Sequence, residues 1–228
     1  MDQACPVCGC FSIPSPIVTE LWRCQNCTHL FQYPLEVTAH YDYEYVHHRY
    51  EAYPTTDAMS HLRLGFVRAI QPHCGRLLDV GYGNGSFLKL AQKAGYDVYG
   101  NDVHGCGEKF GIREVSLNGD AWDVVTFFDS LEHFPSLELP RQVCRQARVV
   151  IVSVPCLPDL EQDIPTWKHY RPGEHLHYFT ERSLSEFMGS KMRVACLDLE
   201  DVVRGDRQGD WNIMTSAYVE SPCVTEPL

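Results

Sequence analysis

Leu78-Asp79-Val80-Gly81-Tyr82-Gly83-Asn84-Gly85 is the stretch that decides the fold. It follows a short apolar run that begins at Arg76, which predicts a buried strand, and it precedes a run at 86–94 with helical character. Glycines let a chain turn sharply from a strand into a helix and let its backbone approach a ligand closely. The order of strand, glycine loop and helix therefore predicts a nucleotide-binding α/β domain.

Acidic residues at two strand ends separate the possible nucleotide ligands. A dinucleotide enzyme usually has its third glycine one position later, where this chain has Ser86. Asp79 would repel a pyrophosphate, whereas it would attract the cationic amino group of a methionine moiety. Asp102 ends the next predicted strand, 96–100, where an acidic residue holds a ribose diol; alternatively it caps the following segment. The glycine spacing and Asp79 favour a methionine-containing nucleoside over NAD, whereas an acidic residue at Asp102 suits both ligands.

Further motifs follow in a characteristic order: WDVVTFFDSLEHFP at 122–135 and a strand at 148–154. Together with 78–85 and Asp102 they resemble the class I S-adenosylmethionine-dependent methyltransferases of the UbiG-like type. The resemblance implies an α/β fold with a Rossmann-like seven-stranded sheet, and S-adenosylmethionine as cofactor. The cofactor-binding residues that it implies are Asp79, Gly81, Tyr82, Gly83, Asn84, Gly85, Asp102, Val103, Asp129, Ser130 and Leu131. It also implies a shortened adenine pocket, since only 19 residues separate Asp102 from Trp122.

Two cysteine pairs with metal-ligand spacing open the chain. Cys5 and Cys8 form one Cys-x2-Cys knuckle, and Cys24 and Cys27 form another, 15 residues further on. Four thiolates at this spacing surround one tetrahedral zinc ion, and four protein ligands leave no coordination position for water. We therefore predict a structural Zn²⁺ ion in a module at 1–40, with a redox role for either pair as the alternative.

The segment 167–180 concentrates three histidines, a glutamate and two tyrosines. Histidine removes protons near neutral pH, and a neighbouring carboxylate orients its ring. Glu174-His175-Leu-His-Tyr-Phe179 also resembles a segment of zinc-bearing methyltransferases that act on sugars, and in related carbon methyltransferases the matching Glu-His pair lies at the reaction centre. The predicted catalytic residues are therefore His175 as general base and Glu174 beside it, with His133 as the rival base.

Charge and hydropathy limit the partners. There are 19 Lys and Arg against 30 Asp and Glu, and no basic cluster interrupts the net charge of −11, so nucleic acid is an unfavourable partner. No apolar run approaches the length of a membrane span, and the first three residues carry no cationic signal-peptide start. We expect a cytoplasmic protein with a small-molecule acceptor.

The predicted organisation is a zinc module at 1–40, an aromatic-rich connector at 41–56, a methyltransferase domain at 57–220 and a tail at 221–228. The tyrosines and histidines of the connector follow no helical or alternating period; they either pack across a cofactor or cover the next domain.

The predicted function is methyl transfer from S-adenosylmethionine to a small polar metabolite, with a sugar or nucleotide-sugar hydroxyl as the acceptor. Pro172 stands where the related carbon methyltransferases carry tyrosine, which favours O-methylation. Two alternatives stay open: a methyltransferase for nucleic acids or nucleotides, and a non-catalytic interaction module that binds zinc.

Overall fold

The computed structural model describes residues 3–51, 56–157, 161–189, 192–197, 199–204 and 212–218. Two compact units interleave along the chain. The cysteine unit consists of Met1–His40, Asp129–Glu138 and Val152–Thr215, and the glycine-loop unit of Tyr41–Phe128, Leu139–Ile151 and Ser216–Leu228. Each unit is built from three separate stretches of the chain, so the predicted domain borders at 40, 56 and 220 stay predictions. The predicted tail at 221–228 lies outside the described residues.

The described residues form strands, α-helices and two 3-10 helices at Leu131–His133 and Glu161–Thr166. The strands are β1 (Gln3–Ala4), β2 (Phe11–Pro14), β3 (Leu21–Cys24), β4 (Leu30–Gln32), β5 (Arg76–Val80), β6 (Asp97–Asn101), β7 (Trp122–Phe128), β8 (Ala147–Pro155), β9 (His177–Tyr178), β10 (Met192–Leu197) and β11 (Asn212–Tyr218). The α-helices are α1 (Tyr43–Glu51), α2 (Thr56–Ile70), α3 (Ser86–Lys93), α4 (Gly107–Phe110), α5 (Glu138–Arg145), α6 (Glu181–Met188) and α7 (Leu199–Arg204).

The larger sheet has the strand order β10-β11-β8-β7-β5-β6. Its strand β5 is parallel to both neighbours, so that Leu78 lies opposite Tyr99 of β6 and Val125 of β7. The apolar runs β5, β7 and β8 are buried almost throughout, as expected of strands covered on both faces. This arrangement confirms the predicted Rossmann-like α/β fold.

Within the described part of the chain, one of the seven predicted strands is reduced to a single β-bridge. Six strands form the sheet there, and beyond β6 stands an isolated parallel bridge between Gly100 and Glu114. The 19 residues between Asp102 and Trp122 provide the one-turn helix α4 and this bridge. The segment is too short for a full helix and strand, which explains the difference.

The smaller sheet lies within the cysteine unit, with the strand order β1-β2-β3-β4-β9. Its first four strands come from the N-terminal module, whereas β9 comes from the histidine-rich segment. Strands β4 and β9 are antiparallel, with Phe31 opposite His177 and Leu30 opposite Tyr178. The segment that sequence reasoning assigned to catalysis is thus part of the cysteine-module sheet.

Helix α1 corrects the description of the connector, where no helical period was expected. Its start is fixed by Asp42, whose Oδ1 accepts the Tyr45 N–H at 2.8 Å. Within it the Tyr43 and His47 rings, four residues apart, have their centroids 5.5 Å apart, and Tyr41, which precedes the helix, has its ring centroid 5.4 Å from that of Tyr45. The helix was therefore missed because aromatic residues one turn apart, and not apolar residues at helical spacing, mark it in the sequence.

None of the described helices has the length and hydrophobicity of a membrane-spanning segment. The cytoplasmic location stays a prediction.

Candidate active site

The glycine loop joins β5 to α3 through three glycines with positive φ: Gly81 at 81°, Gly83 at 57° and Gly85 at 73°. The Gly81 N–H donates to the Asn101 carbonyl at 2.7 Å, which ties the loop to the end of β6. A Cβ atom added at Gly85 would lie 2.7 Å from the Cδ1 atom of Ile112. The loop therefore requires glycine for both its backbone conformation and its close packing.

Asp102 is bonded to the glycine loop. Its Oδ2 accepts the Gly83 N–H at 2.9 Å, and its Oδ1 accepts the His104 N–H at 3.3 Å. Desolvation by burial raises the pKa of Asp102, and the nearby His104 opposes that rise. Val103 between them is 79% exposed. Asp102 thus stands at the predicted strand end with its carboxylate held at the loop.

His104 is a residue that sequence reasoning missed. Its Nδ1 accepts the Cys106 N–H at 3.0 Å, so its Nε2 carries the proton and donates to the Gly83 carbonyl at 2.9 Å. Both polar groups of Gly83 are therefore held, the N–H by Asp102 and the carbonyl by His104. The available signal was a histidine two positions after the acidic strand end.

Asp79 is buried, with 3% of its surface exposed, and its Oδ1 accepts the Thr126 hydroxyl at 2.7 Å. Burial raises the pKa of Asp79 to about 7, because the loss of hydration outweighs the Thr126 hydrogen bond. A cation bound beside this carboxyl would stabilise its ionised form. The site is thus suited to a ligand ammonium group.

Tyr82 packs within the glycine-loop unit. Its hydroxyl donates to Glu114 Oε1 at 2.7 Å, and its ring meets the His104 ring edge-on with the centroids 5.0 Å apart. Only 5% of Tyr82 is exposed. Its side chain therefore supports the loop. Two residues further on, Asn84 forms a turn, because its Oδ1 accepts the Ser86 N–H at 3.0 Å.

The four predicted cysteine ligands come together. Sγ atoms lie 3.6 Å apart for Cys5 and Cys27 and 3.4 Å apart for Cys8 and Cys24, and all four lie within 4.8 Å of one another. A tetrahedral ion with metal–sulfur bonds of about 2.3 Å separates its ligands by about 3.8 Å. Cys10 is exposed and stands outside this group.

Backbone N–H groups support the sulfurs as they do in metal knuckles. The Val7 N–H donates to Cys5 Sγ, and the N–H groups of Asn26 and Cys27 donate to Cys24 Sγ, each at 3.4 Å. These bonds stabilise thiolates, the form that binds a metal ion. The donor set fits a tetrahedral zinc ion.

The cysteine unit also contains a histidine cluster, made of Glu132, His133, His169 and His175. The His133 and His175 rings meet edge-on with centroids 4.7 Å apart, and His169 stacks on His175 at 6.1 Å. The ligand atoms of Glu132, His133 and His175 lie within 4.8 Å of one another. The structure therefore brings together the two rival bases of the sequence analysis.

Glu132 is the residue of this cluster that sequence reasoning missed. It is 1% exposed, and neither carboxylate oxygen has a hydrogen-bond partner among the described residues. His133 Nε2 lies 3.7 Å from Glu132 Oε1. Burial is the main cause that raises the pKa of Glu132 well above its usual range. Its position directly before His133 was the available signal.

Glu174 acts on the cluster through its backbone. Its carbonyl accepts the His133 Nδ1–H at 2.8 Å, and its carboxylate pairs with Arg171 Nη1 at 3.1 Å. Because Nδ1 carries the proton, the lone pair of neutral His133 is on Nε2, the atom nearest Glu132. His133, 21% of whose side chain is exposed, is thus held in one tautomer.

His175 is more deeply buried, at 5% exposure. Burial and then the neighbouring His133 and His169 lower the pKa of His175 to about 2. Burial likewise lowers the pKa of His169 and of His177 to about 4. These rings are neutral near pH 7, and His175 is a weak acceptor of protons.

Asp129 begins the loop after β7 in a left-handed conformation, with φ of 54°. Its carboxylate forms a close ion pair with Arg204, which also donates to Glu200 Oε2 at 2.9 Å. Glu200 is fully buried and accepts the Ser153 hydroxyl at 2.8 Å. Ser130 and Leu131, which follow Asp129 in the chain, are also buried. Helix α7, which sequence reasoning did not predict, supplies Glu200 and Arg204.

Comparison with known proteins gives the family. A family model described as a methyltransferase domain matches residues 45–190. The chain belongs to this methyltransferase family. Its matched region includes the glycine loop, Asp102, the histidine cluster and Glu174, so the enzyme is an S-adenosylmethionine-dependent methyltransferase. No curated protein sequence matches the chain.

Solved structures of methyltransferases share the fold. The magnesium protoporphyrin IX methyltransferase of Synechocystis PCC 6803, with bound S-adenosylhomocysteine, is 16% identical with a TM-score of 0.54, over 73% of this chain and 84% of that chain. The 1,6-didemethyltoxoflavin-N1-methyltransferase of Burkholderia thailandensis is 15% identical with a TM-score of 0.52, over 86% and 98%. The plantazolicin methyltransferase BpumL is 13% identical with a TM-score of 0.53, over 78% and 91%. At such low identities these likenesses establish the fold alone.

Proposed function

We propose that this methyltransferase, of the UbiG-like type, transfers the methyl group of S-adenosylmethionine to a hydroxyl of a small polar metabolite, with sugars and nucleotide sugars as the acceptor class. The observation that carries the proposal is His133, whose Nδ1–H donates to the Glu174 carbonyl and whose Nε2 lies 3.7 Å from the buried carboxyl group of Glu132. A histidine ring that is oriented by a hydrogen bond at one nitrogen can remove a hydroxyl proton with its other nitrogen.

S-adenosylmethionine is assigned to the glycine loop and Asp102. Solved methyltransferases of the same fold bind S-adenosylmethionine or its product. In this chain, the backbone of the loop would hold the methionine part, Asp79 its ammonium group and Asp102 the ribose diol. The full proposed set is Asp79, Gly81, Tyr82, Gly83, Asn84, Gly85, Asp102, Val103, Asp129, Ser130 and Leu131.

We assign the removal of the acceptor's hydroxyl proton to His133. The sequence favoured His175, but the low pKa of the His175 ring makes it a poor acceptor, and we assign it to the wall of the acceptor site. Glu174 then positions His133 through its carbonyl, and the Glu132 carboxyl group lies beside the ring nitrogen that would receive the proton. The sulfonium supplies the electrophile, so the protein must position the acceptor in line and receive its proton.

A structural zinc ion is assigned to Cys5, Cys8, Cys24 and Cys27. Four thiolates would complete its coordination shell, so the ion would supply folding free energy and no reacting group.

The acceptor class is supported by charge and by the polar lining of the histidine cluster. A net charge of −11 repels a nucleic-acid backbone. The solved relatives are described as methyltransferases for a porphyrin, a toxoflavin precursor and plantazolicin, so the fold itself accepts varied molecules.

The test is incubation of the zinc-loaded protein with methyl-labelled S-adenosylmethionine and a panel of free sugars, nucleotide sugars, nucleotides and RNA. We expect label in at least one sugar compound, as a methoxy group in the product's NMR spectrum. Label in RNA alone, or a carbon-bound methyl group, would refute the assignment.

A further inference from the structure

The cysteine module is joined to the histidine-rich segment by two buried rings. His29 follows the second knuckle and is fully buried, and its Nε2 lies 3.1 Å from His177 Nδ1. The other nitrogen of His177, Nε2, lies 2.9 Å from the Phe134 carbonyl. A carbonyl only accepts hydrogen bonds, so His177 Nε2 donates to it, and His29 Nε2–H donates to His177 Nδ1. The direction of every bond in this chain is therefore fixed.

Three further hydrogen bonds run alongside this pair of rings. The Gln32 N–H donates to the Leu176 carbonyl at 2.9 Å, and the Gly173 N–H donates to Gln32 Oε1 at 2.7 Å. At the other end, the Thr28 and Thr180 hydroxyls lie 2.8 Å apart. Residues 28–32 thus hold the segment 173–180 at both ends and in its middle.

The held segment in turn holds the loop that carries His133. The Leu176 N–H donates to the Glu132 carbonyl at 2.8 Å, and the Glu174 carbonyl accepts from His133. Since β9 has only two residues and lies at the end of its sheet, β4 provides its neighbour there. The His133 ring is therefore linked to β4 through the segment 174–177, which is also held by the Leu157 N–H at the Phe179 carbonyl.

A four-cysteine module of about 40 residues has too little core to fold without its metal ion. Loss of the ion would therefore release β3 and β4, and with them the strand that pairs with β9. The module therefore has a use beyond its own stability.

We propose that His29 is a positioning residue for methyl transfer, which fixes the acceptor-side segment 173–180 and the loop 132–134 through His177. The inference rests on the proposed function only in naming these residues the acceptor side. The cysteine module acts in catalysis by positioning that side and has no part in holding the cofactor.

The test measures backbone amide hydrogen exchange by mass spectrometry in zinc-loaded wild-type protein and in His29→Phe. Phenylalanine keeps a ring beside Phe179, whose centroid lies 4.7 Å from that of His29, and removes the donor. We expect at least about tenfold faster exchange in 173–180 and 132–134, with unchanged exchange in 76–104 and unchanged affinity for S-adenosylhomocysteine. His29→Gln, which keeps a donor, should restore most of the protection, and His61→Phe, on the exposed side of α2, should change nothing.

A second measurement removes zinc from the wild-type protein with a chelator, so the test does not depend on the folding of one variant. We expect faster exchange in 173–180 with 76–104 still protected. Continued protection of 173–180 in His29→Phe or after chelation overturns the proposal, and so does faster exchange that spreads over 76–104. Amide exchange needs no turnover, so a protein that lacks the proposed activity would still give a decisive result.

Discussion

The glycine-loop site and the histidine cluster are built in opposite ways. The first is local: Asp79, Gly83, Asp102 and His104 come from two adjacent strands and the turns that follow them. The second is assembled from far-apart segments, since Glu132 and His133 are held by 174–176, which is itself held by β4. In the proposed function, cofactor binding and proton removal therefore depend on separate structural supports. Variants should therefore affect one and spare the other.

We expect the largest effect from replacing His133, the proposed base, which should reduce methyl transfer and leave cofactor binding unchanged. His133→Gln keeps a polar side chain of similar size but removes the basic ring, so we expect methyl transfer to fall about 10²- to 10⁴-fold. Affinity for S-adenosylhomocysteine, measured by calorimetry, should stay within about twofold of wild type, because Asp102 and the loop are untouched. Equal losses in both measurements would break the comparison.

Asp102→Ala should have the next largest effect, on the opposite side. It removes the proposed acceptor for the ribose diol and the partner of the Gly83 N–H, so binding of S-adenosylhomocysteine should weaken about 10- to 100-fold. Calorimetry checks this against Asp120→Ala, an exposed aspartate of the same unit. Wild-type affinity in Asp102→Ala would show that the diol lies elsewhere.

Gly85→Ala tests how strictly the loop depends on its backbone. A φ of 73° and the nearby Ile112 side chain should reduce the free energy of unfolding by about 1–3 kcal/mol. The matched control is Gly65→Ala in α2, where an added Cβ meets no atom within 4 Å; there we expect a gain of about 0.5–1 kcal/mol. Urea denaturation of both variants gives the two values, and the same sign for both would contradict the explanation.

The smallest expected effect is a pH dependence of cofactor affinity that arises from Asp79. In the free protein burial raises its pKa to about 7, and a bound ammonium group would favour the ionised form, so binding releases a proton. Affinity for S-adenosylhomocysteine should then rise roughly tenfold from about pH 6 to about pH 8 and level off above. Asp79→Asn should remove this pH dependence, whereas a slope that persists in Asp79→Asn would assign it to another group.

Local construction explains how much could be predicted. The strand, glycine loop and helix around 76–94, with the acidic end at Asp102, were predicted from neighbouring residues, and the structure contains them. The four cysteines were predicted in the same way, and their sulfurs lie within 4.8 Å of one another. The contacts of Glu174 were not predicted: its carboxylate pairs with Arg171, and its carbonyl accepts the His133 Nδ1–H. A backbone carbonyl leaves no mark in a sequence. Pairing of β4 with β9 likewise depends on residues about 150 positions apart, for which one sequence carries no register signal.

The most direct test of the central claim is calorimetric titration of S-adenosylhomocysteine into the wild-type protein and into His133→Gln under the same conditions. We predict one site per chain in both, with equal affinities, together with loss of methyl transfer in His133→Gln alone. No binding by the wild-type protein at millimolar ligand, or binding that is lost with His133, would contradict the account.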